Sequence, residues 1–224
     1  MPSLRRHQLV RLNPAGWAAV MQHSWDVQAQ TCLDLWAGKE LPLVVTHQRP
    51  GLPADQIALG LPAPAHWQRR RLALEVPIDG LLFFGELPTA ADIGSLLPPS
   101  THGNWRTLTE RFDEVGATVR IYGSYGWQRL TGLDYIHPNS DIDLQLLVPN
   151  MAVAEQVVTA LVSASFTSPR LDGELTSPSG SAVSWREWHT WRRGLTNRLL
   201  VKRLRGATLE NGQEWLLEPE PMPC

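Results

Sequence analysis

The chain has 224 residues, enough for one large or two small domains at about 150 residues each, and its 43% hydrophobic, 19% charged composition is that of a globular protein. A formal net charge of −2, from 20 basic and 22 acidic residues, removes bulk electrostatics as a reason to expect a nucleic-acid partner. Two cysteines, Cys32 and Cys224, exclude a disulfide framework and a thiolate metal site, and no apolar run, Leu81-Leu82-Phe83-Phe84 included, approaches a membrane span.

Met1 to His7 is basic but lacks the apolar run of a signal peptide, so a cytoplasmic protein is expected. Asn13 followed by Pro14 is a cap with proline at the first helical position, and predicts a helix from Trp17 to about His23. A second helix is expected over Val27 to Trp36, stopping at Gly38. Nine prolines between Pro42 and Pro99 forbid long helices there and leave short strands, the best being Leu43-Val44-Val45 and Leu72 to Val76. Leu96 to Gly103, with Pro98-Pro99-Ser100, reads as a linker.

Beyond it the element types alternate. A helix is expected from Trp105 to about Gly116, a strand over Thr118–Tyr122, a short helix from Ser124 to about Thr131, and a strand from Asp141 to Val148. Val153, Val157, Val158, Leu161 and Val162 recur at three and four residues and predict a helix over Met151–Ser165. Leu171–Leu175 and Ser181–Trp185 flank Ser177-Pro178-Ser179-Gly180 as a hairpin, and Leu199–Lys202 is a last short strand. Trp185, Trp188 and Trp191 lie three apart and would form one helical stripe, packed in the core or stacked on a base. The expected architecture is α+β: a smaller mixed α/β module over residues 1–90, suited to binding, then a mixed sheet with flanking helices over residues 91–224.

The chemistry concentrates in Gly123-Ser124-Tyr125-Gly126-Trp127 and, after a 13-residue gap, Asp141-Ile142-Asp143-Leu144. On a strand, residues two apart share a face, so Asp141 and Asp143 project together while Ile142 and Leu144 enter the core. Adjacent carboxylates repel, and hard oxygen donors relieve this with Mg²⁺ or Mn²⁺. Gly123-Ser124 lies between a strand and a helix start, where free N–H groups and the helix dipole favour a phosphate. A third carboxylate is expected on the next strand at Asp172 or Glu174; Asp172 is preferred because its shorter side chain stays nearer the backbone.

Gly-Ser, a short helix and Ser140-Asp141-Ile142-Asp143-Leu144 resemble the signature of the polymerase-beta-type nucleotidyltransferase superfamily. Together with Leu171-Asp-Gly-Glu-Leu and Val183-Ser-Trp-Arg-Glu-Trp they are similar to the malonate decarboxylase holo-acyl-carrier-protein synthases, the phosphoribosyl-dephospho-CoA transferases, over nearly the whole chain. The resemblance implies transfer of 2'-(5''-phosphoribosyl)-3'-dephospho-CoA from its triphosphate form to a serine of the apo acyl carrier protein of malonate decarboxylase, with release of pyrophosphate. It further implies Asp141, Asp143 and Asp172 as catalytic metal ligands and Gly123 and Ser124 as phosphate donors. Seven basic residues between Arg186 and Arg205 face one acid, Glu187, an excess that would meet polyphosphate or an acidic carrier; Lys202, then Arg129, are the preferred phosphate contacts, with Glu174 the alternative acid. Two other classes stay open: a relative acting on another acceptor, such as the citrate lyase carrier or a protein hydroxyl modified with AMP, and a non-catalytic carrier-binding protein.

Overall fold

The computed structural model describes residues 4–212 and 215–216; Cys224 lies outside the described residues. The chain divides into two compact units. The first runs to Leu87 and includes Leu130–Tyr135 and Leu204–Gly206; the second comprises Pro88–Arg129, Ile136–Arg203 and the chain from Ala207.

The first unit contains β1 (Leu9–Leu12), α1 (Pro14–Met21), α2 (Val27–Gly38), β2 (Leu43–Val45), β3 (Gln56–Pro62), β4 (Arg71–Pro77) and β5 (Leu81–Gly85). Its strands form an antiparallel sheet in the order β4-β3-β2-β1-β5. Both helices open on side-chain caps: Asn13 Oδ1 accepts from the Gly16 N–H at 2.9 Å, and Asp26 Oδ1 from that of Ala29 at 3.0 Å. Asp26 also receives two hydrogen bonds from the Arg70 guanidinium, which holds its carboxyl far below the usual carboxylate range. Trp36, Leu33, Leu43, Ile57, Leu59 and Leu61 are fully buried between helices and sheet. Cys32 is a buried free thiol, and burial pushes it up to about 11. The expected strands at Leu43–Val45 and Leu72–Val76 are present; β1, β3 and β5 are additional.

The second unit opens with 3-10 turns at Ala91–Leu96 and Pro99–Thr101 that lead straight into α3 (His102–Glu114). The expected linker over Leu96–Gly103 is therefore not one: Leu97 and Thr101 are buried, and the prolines set 3-10 turns instead of a flexible join. There follow β6 (Thr118–Tyr122), α4 (Gly123–Thr131), β7 (Ile142–Leu147), α5 (Met151–Ser163), β8 (Leu171–Thr176), β9 (Ala182–Ser184), α6 (Trp185–Arg192), β10 (Leu199–Arg203) and β11 (Gly206–Glu210). The sheet order is β11-β10-β9-β8-β7-β6, with β7 and β8 parallel and the β6-β7 and β8-β9 pairs antiparallel. A parallel pair needs a crossover, and α5 supplies it, capped by Asn150 and burying Val157, Val158 and Leu161. Val162, assigned to the same apolar stripe from its spacing, is instead 52% exposed.

One core holds this unit together, built from Trp105, Leu108 and Phe112 of α3, Ile121 of β6, Ile142, Leu144 and Leu146 of β7, and the helix α5 face. Trp185 and Trp188 belong to it at 5% and 1% exposure, and Trp191 packs against it half-buried, so the indole stripe is core and not a base-stacking platform. The architecture is α+β, with a mixed sheet and flanking helices. No helix among the described residues is long and apolar enough to cross a membrane.

Candidate active site

The site forms where β6 ends and β7 begins. Tyr122, the last residue of β6, is the register partner of Asp143, which sets Gly123 and the first turn of α4 beside that carboxylate. Gly123 has φ +60°, and a Cβ there would fall 1.8 Å from Asp143 Oδ2, so the position requires glycine for its backbone and for the space it leaves. The first-turn N–H groups of α4, which begins at Gly123, have no intrahelical acceptors. Across β7, parallel pairing aligns Asp143 with Asp172 and Gln145 with Glu174. Gly173 lies between the two acids at φ +136°, where a Cβ would be 2.0 Å from the Leu144 carbonyl oxygen; the two strands approach too closely for any side chain.

Four carboxylates thus share one face, and three have a basic partner. Asp141 accepts two hydrogen bonds from Arg170, from Nε at 3.0 Å and from Nη2 at 2.7 Å. Asp172 lies 3.7 Å from Arg186 Nε, and Glu174 accepts a 2.6 Å hydrogen bond from Lys202 Nζ. Asp143 has no ion pair among the described residues. Burial, with the negative charges of Asp172, Asp141 and Glu174, pushes its carboxyl up to about 6. Four acids against Arg170, Arg186 and Lys202 leave one net negative charge, centred on Asp143.

That imbalance and the all-oxygen donor set fit a hard divalent cation. Among the described residues no group of three His, Cys, Asp or Glu side chains is placed to hold a metal ion; Asp141 is paired with Arg170, and Asp172 Oδ1 accepts from the Gly173 N–H at 2.8 Å. Asp143 and Asp172, with Asp141, are the side chains that would hold such a cation.

The other expected site residues separate into two groups. Ser124 lies half-buried in the first turn of α4, as anticipated from its place after Gly123. Glu174 is 6% exposed and paired with Lys202, whereas Asp172 is half-buried and aligned with Asp143. Lys202, expected to meet a phosphate, has its Nζ on Glu174. Arg129 is not brought to the acidic face; its guanidinium lies 3.9 Å from Asp92. The basic run from Arg186 to Arg205 is not a free patch either, since Arg186, Arg192, Lys202 and Arg203 pair with Asp172, Glu155, Glu174 and Glu210. His137 is structural: its Nδ1 accepts from the Asn139 N–H at 3.2 Å in the loop that leads to Asp141.

A Gly-Ser strand-to-helix turn beside paired acids on a mixed sheet is the candidate site, and comparison with known proteins gives the class, that of the transferases. Residues 87–213 match the phosphoribosyl-dephospho-CoA transferase MdcG C-terminal domain, and residues 5–81 its N-terminal domain. A phosphoribosyl-dephospho-CoA transferase of Bradyrhizobium diazoefficiens is 34% identical over 218 residues, covering 94% of this chain and 92% of that protein. One of Xanthomonas campestris pv. campestris strain 8004 is 32% identical over 182 residues, 81% of this chain and 84% of that one. The chain therefore belongs to the phosphoribosyl-dephospho-CoA transferase MdcG family. No solved structure matches it.

Proposed function

We propose that this chain transfers 2'-(5''-phosphoribosyl)-3'-dephospho-CoA from its triphosphate-activated form to a serine hydroxyl of the apo acyl carrier protein of malonate decarboxylase, in the cytoplasm and with Mg²⁺ or Mn²⁺. The observation that carries the reading is Asp143, the one acid of four without a counter-charge, set against the open backbone of Gly123. In the transfer, the serine oxygen forms a bond to the phosphorus attached to the ribose, the bond from that phosphorus to pyrophosphate breaks, and the hydroxyl proton passes to Asp172. Asp143 and Asp172, joined by Asp141, would hold the cation, which supplies charge neutralisation on the phosphates and a lowered hydroxyl pKa. Gly123 and Ser124 present N–H and hydroxyl donors to the phosphate chain. Glu174, locked to Lys202, fixes the β8 end of the acidic face. Holding acceptor and donor in line contributes up to about 7–11 kcal/mol of the barrier reduction.

Support for the donor and for transfer comes from the family and from the activity for which its relatives are named. The test is a mass measurement on apo carrier protein incubated with enzyme, triphosphoribosyl-dephospho-CoA and Mg²⁺. A gain of one phosphoribosyl-dephospho-CoA, lost on chelation, is expected; no gain with this donor, or a gain of AMP from ATP, would overturn the reading.

A further inference from the structure

Three cations border the acidic face, and they are held in different ways. Arg170 donates from both Nε and Nη2 to Asp141 and has no other support among the described residues, with its side chain 70% exposed. Lys202, its side chain 37% exposed, has its Nζ committed to Glu174 at 2.6 Å, whose side chain is 7% exposed. Arg186 is fixed by groups that carry no charge: its guanidinium lies over the Trp185 ring, 4.3 Å from the centroid, and Nη2 donates to the Leu171 carbonyl oxygen at 2.7 Å. Its approach to Asp172, 3.7 Å from Nε, is electrostatic and beyond hydrogen-bond reach.

We infer that Arg186 is the residue that grips the polyphosphate of the donor and sets the enzyme's preference for a triphosphate-activated substrate. A guanidinium has five N–H groups, and Arg186 uses one of them on Leu171, leaving four uncommitted beside the acid pair. Trp185 is 5% exposed and Leu171 4%, so the platform under the guanidinium is rigid and its orientation does not depend on any carboxylate. When a cation takes the charge of Asp172, Arg186 keeps its place and loses its counter-charge, whereas Arg170 would lose what positions it. A planar fork with a fixed orientation and free donors matches two phosphate oxygens, at little further loss of side-chain entropy.

The inference rests on the transfer reading above, and the experiment separates their failures. Inorganic tripolyphosphate with Mg²⁺ is titrated calorimetrically into the full-length protein and into Arg186→Gln, Arg186→Lys and, as a control on the same helix, Arg192→Ala. Wild type and Arg192→Ala bind alike, and Arg186→Gln binds roughly ten- to hundredfold more weakly, the range for loss of charge-assisted hydrogen bonds. Arg186→Lys recovers little, because an ammonium supplies charge without the fork. Unchanged thermal melting of both Arg186 variants assigns the loss to binding, and in the transfer assay KM for the donor rises more than kcat falls. Binding by Arg186→Gln within twofold of wild type, or by Arg186→Lys equal to wild type, overturns the inference while leaving the transfer reading intact. Absence of tripolyphosphate binding by the wild type overturns both.

Discussion

Asp143 and Asp172 are register partners on the parallel strands β7 and β8, and only the second has a cation beside it. The strand pairing forces two carboxylates together in a half-buried place and leaves Asp143 uncompensated. Folding does not benefit from that arrangement, which is what a site kept for a ligand looks like.

The first prediction follows from the sign of that strain. Burial and the neighbouring acids push the Asp143 carboxyl from the ordinary 3.8 up to about 6, so the folded chain binds more protons than the unfolded one between those values. Stability from this group is complete below about pH 4 and is lost as pH rises through 6. Asp143→Asn removes the loss: with chelator present, urea denaturation at pH 7.5 is expected to show the variant more stable by about 2–3 kcal/mol, and at pH 4 nearly equal to wild type. Transfer to the carrier is abolished. A variant no more stable than wild type at pH 7.5 would contradict the electrostatic reading.

Gly123 and Gly173 both have positive φ, yet their alanine variants should fail differently. At Gly123 the added Cβ meets the end of the Asp143 side chain, which can rotate away. Gly123→Ala is expected to fold, with destabilisation of about 1–2 kcal/mol from backbone strain, and to lose transfer because the carboxylate is displaced. At Gly173 the Cβ meets the Leu144 backbone, its carbonyl oxygen at 2.0 Å and nitrogen at 2.6 Å, which cannot yield without parting β7 from β8. Gly173→Ala adds an overpacking penalty of about 1–3 kcal/mol to the strain of its own φ of +136°, which lies outside the left-handed helical region, so thermal melting should separate the two variants clearly. Equal melting temperatures would argue against the close strand approach.

How much of this was legible beforehand depends on how local the signal is. Thr118–Tyr122 and Leu43–Val45 were readable as strands because β-branched residues sit between turn formers, and Asp141/Asp143 as a shared face because the two-residue period is a property of any strand. β3 was missed although Ile57, Leu59 and Leu61 alternate, since the intervening Ala58 and Gly60 are small instead of polar and Pro62 closes the run. Arg170 and Arg186 could not be assigned to Asp141 and Asp172 from spacing: the first pair is 29 residues apart and is created by the β7-β8 register. The basic run after Arg186 misled for the same reason, its partners Glu155, Asp172 and Glu174 being supplied by other elements.

Lys202 and Glu174 give a third prediction, which distinguishes a supporting lysine from a phosphate-binding one. Glu174 is nearly buried, and Lys202→Met would remove its ion-pair partner, for a loss of about 1–3 kcal/mol given that the lysine itself is partly exposed. The double variant Lys202→Met/Glu174→Gln removes both charges and should regain most of that stability in denaturant titrations. If the double variant is as unstable as the single one, the pair is not what Lys202 serves. Tripolyphosphate affinity of the double variant should stay within a few-fold of wild type, because the phosphate contact lies elsewhere.

The last prediction concerns Arg170, whose guanidinium occupies both oxygens of Asp141. A divalent cation that recruits Asp141 must first displace that guanidinium, so Arg170 and the cation compete for one carboxylate. The ion pair is largely solvent-facing on the arginine side and contributes little to folding. Arg170→Gln should therefore melt close to wild type, while its removal of one positive charge and release of Asp141 tighten Mn²⁺ binding severalfold. Titration of the protein with Mn²⁺, followed by the loss of the free-ion paramagnetic resonance signal, measures this directly. The opposite result, weaker Mn²⁺ binding in the glutamine variant, would mean that Arg170 holds Asp141 in the liganding position and that the ion pair orients the acid instead of masking it.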